Sequence, residues 1–279
     1  MTTKKTILII LGLVLGGIII GGSIGAFFVF RKSDGITMFI AIHCEPGSFP
    51  KTTDYPEQYW LDLKEMIINA NQSNVKLTLL FNPQWATYIL NDSARLQMVR
   101  NWEANGHEIG LHHHGAHMNS WNGYTDQAAY QSNPKYIGSI DEMMLLMNQL
   151  PLSGEIKTAC VGTEEDIDSD FPYSVPYRTY GGSDKMEHLW SSPELTPFNN
   201  HDVLSLTHSR FSSESAEINI DHAELKEFIK DKHKNEVIGL VWHVFDYDNH
   251  PQEYNELFQY VTEKGILTAT VVELMESYF

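Results

Sequence analysis

The stretch Gly106-His-Glu-Ile-Gly-Leu-His-His-His-Gly-Ala-His-Met-Asn-Ser-Trp121 determines how this chain is interpreted. It begins as a short apolar strand, in which Ile109 and Leu111 can point into a core, and it continues as a histidine cluster. His113 and His117 are four residues apart, so their imidazoles can converge on one metal ion if the backbone coils after the strand. A histidine run can also be a solvated loop or a weak adventitious metal site. Because this run follows a strand end, where α/β proteins build their sites, we predict that His113 and His117 are metal ligands.

The N-terminal part of the chain is strongly apolar. Residues 7–30 carry no charge, and a membrane-spanning helix needs roughly 20 apolar residues. A cleaved signal peptide has a shorter apolar core that ends in small residues, whereas this stretch ends in three phenylalanines and a valine. We therefore predict a retained, single-pass anchor: a cytoplasmic head at 1–6, a transmembrane helix at 7–30, a linker at 31–35 and an extracytoplasmic domain at 36–279.

Composition narrows the possible partners and the redox chemistry. The net charge of −17 argues against a nucleic-acid partner. The two cysteines, Cys44 and Cys160, are too few for a disulfide-rich scaffold. Either a single bridge or two separate buried thiols is compatible with this count.

Beyond residue 35, apolar runs typical of strands alternate with stretches of helical periodicity. Strands are predicted at 36–43, 75–81, 156–160, 236–245 and 266–270, in addition to the strand before the histidines. Helices are predicted at 56–70, 92–102, 135–150, 223–232, 251–264 and 271–279. This alternation predicts a mostly parallel sheet covered by helices, and six or seven such units suit a barrel better than a short open sheet.

Three strand ends carry groups that can do chemistry: Glu45, the pair His113 and His117, and His243. The carboxyl ends of parallel barrel strands share one face, so these groups are expected to meet. Two histidines and one carboxylate form a common catalytic zinc shell with an open position for water, although cobalt, nickel or iron also suit such ligands. Metal-bound water attacks carbonyl carbon, and a further histidine can protonate the leaving amine.

These motifs resemble the polysaccharide deacetylases of the NodB-homology type. Residues 106–112 are similar to the family's Gly-His-Glu-Ile-Gly-x-His strand, and His113 and His117 match its His-x-x-x-His metal pair. Residues 239–243 are similar to the late strand that presents the catalytic-acid histidine, here His243. The resemblance implies a distorted (β/α) barrel that removes N- or O-acetyl groups from sugar polymers with a divalent metal, for which zinc is favoured.

The first motif of the family, Thr-Phe-Asp-Asp-Gly, is replaced here by Ile42-His-Cys-Glu-Pro-Gly47. The resemblance then implies Glu45 as the carboxylate metal ligand, while the base position falls on His43 or Cys44. Histidine can act as a base near neutral pH, whereas a buried thiol fits a structural role better. We therefore predict His43 as the second catalytic residue.

Three residues are candidates for substrate binding. Trp85 and Trp121 can stack on a sugar ring or can equally belong to the core, and Arg178 is a candidate for holding the base or the substrate. The leading hypothesis is a membrane-anchored, metal-dependent carbohydrate deacetylase. The alternatives are a deacetylase-like domain that has lost catalysis and binds glycans or metal at the cell surface, and a metal-binding surface protein with no hydrolase role.

Overall fold

Buried strands alternate with amphipathic helices along the chain, as the apolar pattern predicts. The computed structural model describes residues 35–45, 55–162, 170–181, 189–198, 201–212, 219–230 and 236–278, all within one unit that spans residues 33–279. The predicted transmembrane helix at 7–30 lies outside the described residues. Among the helices that are described, none has the length and apolar character needed to cross a membrane.

The strands are β1 (Thr37–Cys44), β2 (Thr78–Phe81), β3 (Glu108–His114), β4 (Thr158–Gly162), β5 (Tyr177–Tyr180), β6 (Trp190–Ser191), β7 (Glu194–Phe198), β8 (His201–Thr207), β9 (Ser209–Phe211), β10 (Asn219–Ile220), β11 (Val237–His243) and β12 (Leu267–Thr268). The helices are α1 (Tyr55–Gln72), α2 (Pro83–Leu90), α3 (Ser93–Ala104), α4 (Ile140–Met147), α5 (His222–Lys230), α6 (Val244–Asn249), α7 (Pro251–Glu263) and α8 (Val271–Ser277), with a short 3₁₀ helix at Ala128–Tyr130.

All described strands belong to one sheet, whose hydrogen-bonded order is β10-β9-β11-β1-β2-β3-β4-β5-β8-β7, with β12 beside β1 and β6 beside β11. Neighbours are parallel except for the pairs β7–β8 and β6–β11. The predicted parallel α/β architecture is therefore confirmed. The predicted distorted barrel is observed as a curled half-barrel, in which the two ends of this order are not paired with each other within the described residues. The parallel run stops where β7 and β8 form an antiparallel pair.

The sheet is strongly curled, and side-chain distances across it show this. His43 lies on β1 and Cys160 on β4, three strands away, which is about 14 Å in a flat sheet. Their ligand atoms nevertheless lie within 4.8 Å of each other. The curl thus creates a concave inner face, and side chains from distant strands meet there.

The inner and outer faces of the sheet are packed differently. Outside, a large apolar core fills the space between sheet and helices. Inside, a small separate cluster contains Ala41, Leu80, Cys160 and Val241. The inner space is narrow: a Cβ atom on Gly110 of β3 would lie 2.5 Å from Leu80 Cδ2. Small residues are therefore required where β3 approaches its neighbours.

Two helix starts fix the strand ends that carry candidate site residues. Asn82 caps α2, and its side chain accepts a hydrogen bond from the backbone N–H of Trp85 at 2.9 Å. The strand predicted at 236–245 ends at His243, because α6 begins at Val244 and the Asp246 carboxylate accepts from the His243 backbone N–H at 3.0 Å. This cap ends β11 at His243 and thereby fixes His243 at the carboxyl edge of the sheet.

Candidate metal and catalytic site

Glu45, the first residue after β1, is the centre of a cluster on the inner face. Its Oε1 lies 3.1 Å from His112 Nε2 and 3.2 Å from His243 Nε2, and its Oε2 lies 3.1 Å from His114 Nε2. The two Nε2 atoms of His112 and His114 are 2.8 Å apart. Strands β1, β3 and β11 thus deliver one carboxylate and three imidazoles to a single point, as predicted for Glu45 and His243.

The histidines of this cluster differ from the predicted pair. Strand β3 continues through His114, and side chains alternate between the two faces of a strand. His112 and His114 therefore share the inner face, whereas His113 points to the outer side, where burial lowers its pKa to about 3. His117 is exposed beyond the strand, and its Nδ1 lies 2.8 Å from the Tyr130 hydroxyl. The structure does not bring His113 and His117 together with Glu45, because β3 stays extended through His114 and the chain turns only from Gly115.

His243 is held by a charged chain of residues behind the ring. Its Nδ1 lies 2.9 Å from Asp246 Oδ2, and Arg210 Nη2 donates to Asp246 Oδ1 at 2.6 Å. Burial alone would lower the pKa of His243, but the hydrogen bonds with Asp246 and Glu45 outweigh it and raise the pKa above the ordinary value. Asp246 therefore favours the protonated imidazole, whose Nε2 faces Glu45.

The environment favours an anionic Glu45 carboxylate and a neutral His112 imidazole. Burial alone would raise the pKa of Glu45, but His112 and hydrogen bonds from the surrounding imidazoles lower it well below the ordinary value. Burial lowers the pKa of His112. A carboxylate anion beside a neutral imidazole is the form in which both groups bind metal.

His43 also lies on the inner face, but its environment disfavours the predicted role of base. Its ring stacks on that of His112, with centroids 4.0 Å apart, and meets His208 and His243 edge-on at 5.7 and 5.4 Å. Burial, together with these three histidines, lowers the pKa of His43 well below the ordinary value. A group with such a pKa accepts a proton poorly near neutral pH.

The two cysteines lie on opposite faces of the sheet. Cys44, the other candidate for the base position, belongs to the outer core, and Cys160 belongs to the inner cluster. Both are free and buried, so the two separate thiols expected as one alternative are observed. Burial raises the pKa of both thiols, that of Cys160 to about 12.

The predicted substrate-binding residues are engaged in internal contacts. Trp85 is fully buried, and its indole N–H donates to the backbone carbonyl of Glu45 at 2.9 Å. Trp121 is only 3% exposed and donates to the carbonyl of Tyr124 at 2.9 Å. The burial of both indole rings matches the alternative that they belong to the core. Trp85 instead positions the backbone at Glu45.

Arg178 lies on β5, where its guanidinium is 4.5 Å from the ring centroids of both Tyr180 and Phe198. Its Nε is buried and has no hydrogen-bond partner among the described residues. Burial lowers the pKa of Arg178. The guanidinium is thus engaged by aromatic rings, and its role in holding the base or the substrate stays a prediction.

One set of residues that fits a metal ion is Glu45, His112 and His114. Their donor atoms converge within 2.8–3.1 Å of one another, and the second ring nitrogen of His114 contacts the hydroxyl of Ser120. A partner on the remote nitrogen is typical of metal-bound histidine, because it fixes the tautomer and the ring orientation. One carboxylate and two imidazoles match the donor set that zinc prefers.

Comparisons with known proteins place the fold. No family model and no curated protein matches the sequence. The structure is similar to that of a 4-alpha-glucanotransferase from Thermococcus litoralis, with a TM-score of 0.55 and 13% identity over 87% of this chain. The match covers 40% of the glucanotransferase chain.

It is also similar to a protein from Mycobacterium smegmatis provisionally identified as a polysaccharide deacetylase, with a TM-score of 0.53 and 10% identity. That match covers 88% of this chain and 91% of the other. The two matches show that this chain shares the fold of its curled, helix-covered sheet with those two proteins.

Proposed function

We propose that the protein is a metal-dependent hydrolase that removes acetyl groups from a carbohydrate by cleaving an amide or ester bond. The observation that carries this proposal is the convergence of the Glu45 carboxylate with His112 and His114 at the carboxyl ends of parallel strands. The similarity in fold to the provisionally identified deacetylase supports the choice of reaction. The side chains of Glu45 and His243 remain 14% and 15% exposed, so a substrate can reach them.

Each side chain has a definite task in this proposal. Glu45, His112 and His114 hold a divalent cation, preferably Zn²⁺, which supplies an acidified water and polarises the acetyl carbonyl. His243 is the general acid: its Nε2 faces the cluster and carries the proton for the leaving nitrogen or oxygen. Asp246 and Arg210 keep that imidazole protonated and oriented.

The site reaches its substrate from the carboxyl edge of the sheet, and we place this edge outside the cytoplasm. Residues 7–30 would anchor the domain at 36–279 to a membrane, because they form an uncharged apolar run of sufficient length. Membrane fractionation of the full chain, followed by protease protection in sealed vesicles, tests both the anchor and its orientation.

The decisive experiment compares His114→Ala with His117→Ala in the purified full chain. Zinc content and acetate release from N-acetylglucosamine oligomers are measured for both variants. We expect His114→Ala to lose one equivalent of zinc and more than about 100-fold of the acetate release, because it removes a direct ligand, whereas remote partners cost about 10–100-fold. His117→Ala is the matched control and should keep both properties, because the exposed ring does not contact the cluster.

Acetate release that survives in His114→Ala would contradict the proposed site. Full zinc binding by the unaltered chain without acetate release from any acetylated sugar would overturn the hydrolase proposal. It would favour the domain that binds glycans or metal without catalysis, for which the low pKa of His43 at the base position is the supporting observation.

A further inference from the structure

A second group of donor atoms lies on the inner face beside the Glu45 cluster. It consists of His43 at the end of β1, Cys160 on β4 and His208 between β8 and β9. One ligand atom from each residue lies within 4.8 Å of the other two, and all three residues are buried. We propose that His43, His208 and Cys160 form a second metal site, which takes a thiophilic divalent cation such as Zn²⁺.

The donor chemistry distinguishes this site from the first. Two imidazoles and one thiolate select softer metal ions than the carboxylate-containing set around Glu45, and three protein ligands of this kind are known for zinc. Binding breaks the Cys160 S–H bond, and the thiolate pair goes to the cation while the proton is released to solvent. The site therefore adds a cation without any redox partner.

An unsatisfied polar atom points to a missing ligand. His43 is 7% exposed, and its Nε2 makes no hydrogen bond within the described part of the chain. A buried polar atom without a partner is costly and rare in folded proteins. A cation bound between His43 and Cys160 would satisfy this nitrogen.

The backbone leaves room for the third ligand. A Cβ atom on Gly181 would lie 3.3 Å from both Cε1 and Nδ1 of His208, which is a tight contact. The absence of a side chain at Gly181 therefore leaves space for the His208 ring. On the other side, Ala41, Leu80 and Val241 surround Cys160 with apolar atoms. Apart from these apolar neighbours, the thiol meets the Thr179 side chain and the two imidazoles.

His43 is close to both groups, because a ligand atom of its ring also lies within 4.8 Å of ligand atoms of Glu45 and His112. Glu45 already faces three other imidazoles, whereas Cys160 has only His43 and His208 in its metal-capable group. We therefore assign His43 to the second site. The stacking of His43 on His112 makes the two sites direct neighbours.

The test uses Co²⁺ as the probe, because a thiolate bound to Co²⁺ gives a near-ultraviolet charge-transfer band that carboxylate and imidazole ligands do not give. The metal-free full chain is titrated with Co²⁺ while absorption and bound metal are measured. We expect two equivalents of bound metal and one thiolate band. Cys160→Ala and His208→Gln should each lose the band and one equivalent.

Cys44→Ala is the matched control, since it removes the only other thiol of the chain and should keep the band and both equivalents. His114→Ala should lose one equivalent and keep the band, so failure of the Glu45 site and failure of this site give different results. Circular dichroism confirms that each variant is folded. A titration without a thiolate band, or a band that persists in folded Cys160→Ala, would overturn the second site.

Discussion

The inner and outer faces of β3 carry the same side chain in different roles. His112 and His114 on the inner face are 2% and 7% exposed, and His113 between them is 0% exposed. Burial is therefore nearly equal, yet only the inner pair meets the Glu45 carboxylate. The comparison shows that the direction of a side chain, set by the period of two in a strand, decides which histidine meets the carboxylate and which packs in the core.

The largest expected effect comes from replacing one histidine on each face. His112→Ala removes a direct ligand and should weaken zinc binding by more than about 100-fold, beyond the effect of losing a remote partner. His113→Ala should leave zinc affinity unchanged and lower the free energy of unfolding by about 2 kcal/mol, because it empties a buried position. Metal titration and chemical denaturation of both metal-free variants measure these effects.

These two variants can also contradict the assignment of different roles to the two faces of β3. If His113→Ala abolishes zinc binding while the variant remains folded, the two faces are not functionally distinct. The predicted pair of His113 and His117 would then be favoured as metal ligands over His112 and His114.

A smaller effect is expected from replacing Asp246, which contacts the remote nitrogen of His243. Asp246→Asn removes an interaction that raises the pKa of His243 above its ordinary value of 6.5. The rate requires protonated His243, so it declines as pH rises through this pKa. The variant should therefore lose activity at a lower pH than the unaltered chain, with about a 10–100-fold lower rate above neutral pH.

The measurement for Asp246→Asn is the pH profile of acetate release at saturating zinc. His117→Ala serves again as the control and should keep the original profile. An alkaline limb that stays in place, or moves to higher pH, would show that Asp246 does not act through the His243 proton.

The smallest effect concerns an outer residue that supports the inner site. Trp85→Phe keeps the buried ring but removes the N–H that donates to the Glu45 carbonyl. One net hydrogen bond contributes about 1 kcal/mol, so zinc affinity should fall about fivefold. Calorimetric zinc titration measures this loss, and an unchanged affinity would mean that the loop at Glu45 is positioned without the indole.

The sequence predicts most of the fold because its strands are long apolar runs with clear ends. The first strand is observed at Thr37–Cys44, within one residue of the prediction at each end, and the helix predicted at 92–102 is observed as α3, with Asp92 as its cap. The open end of the sheet was not predictable in the same way. The irregular stretch near 171–210 forms the antiparallel pair β7–β8, where tertiary context outweighs weak local patterns.

The sequence predicts which strand ends meet, but the β3 histidines that face Glu45 are not the predicted pair. Glu45 and His243 meet because parallel strands end on one face, and that rule needs no side-chain detail. The choice of His113 rested on a helical period in a segment that remains a strand. The period of two gives a different arrangement, since Ile109 and Leu111 form the apolar face that His113 continues, while His112 follows Gly110 on the other face.

Cys160 and His208 were not predicted as members of a site. They lie on β4 and after β8, and only the curl of the sheet brings them near His43. No spacing along the chain encodes that approach. Arg210 was missed for the same reason, because its partner Asp246 belongs to a distant helix start.

The small cluster of Ala41, Leu80, Cys160 and Val241 limits the directions from which a molecule can reach the histidines. Its hydrocarbon side chains are buried on the inner face of the sheet and leave Glu45 and His243 as partly exposed members of the site. If the proposed function is correct, acetate and the deacetylated sugar would leave on the side where the next acetylated unit enters.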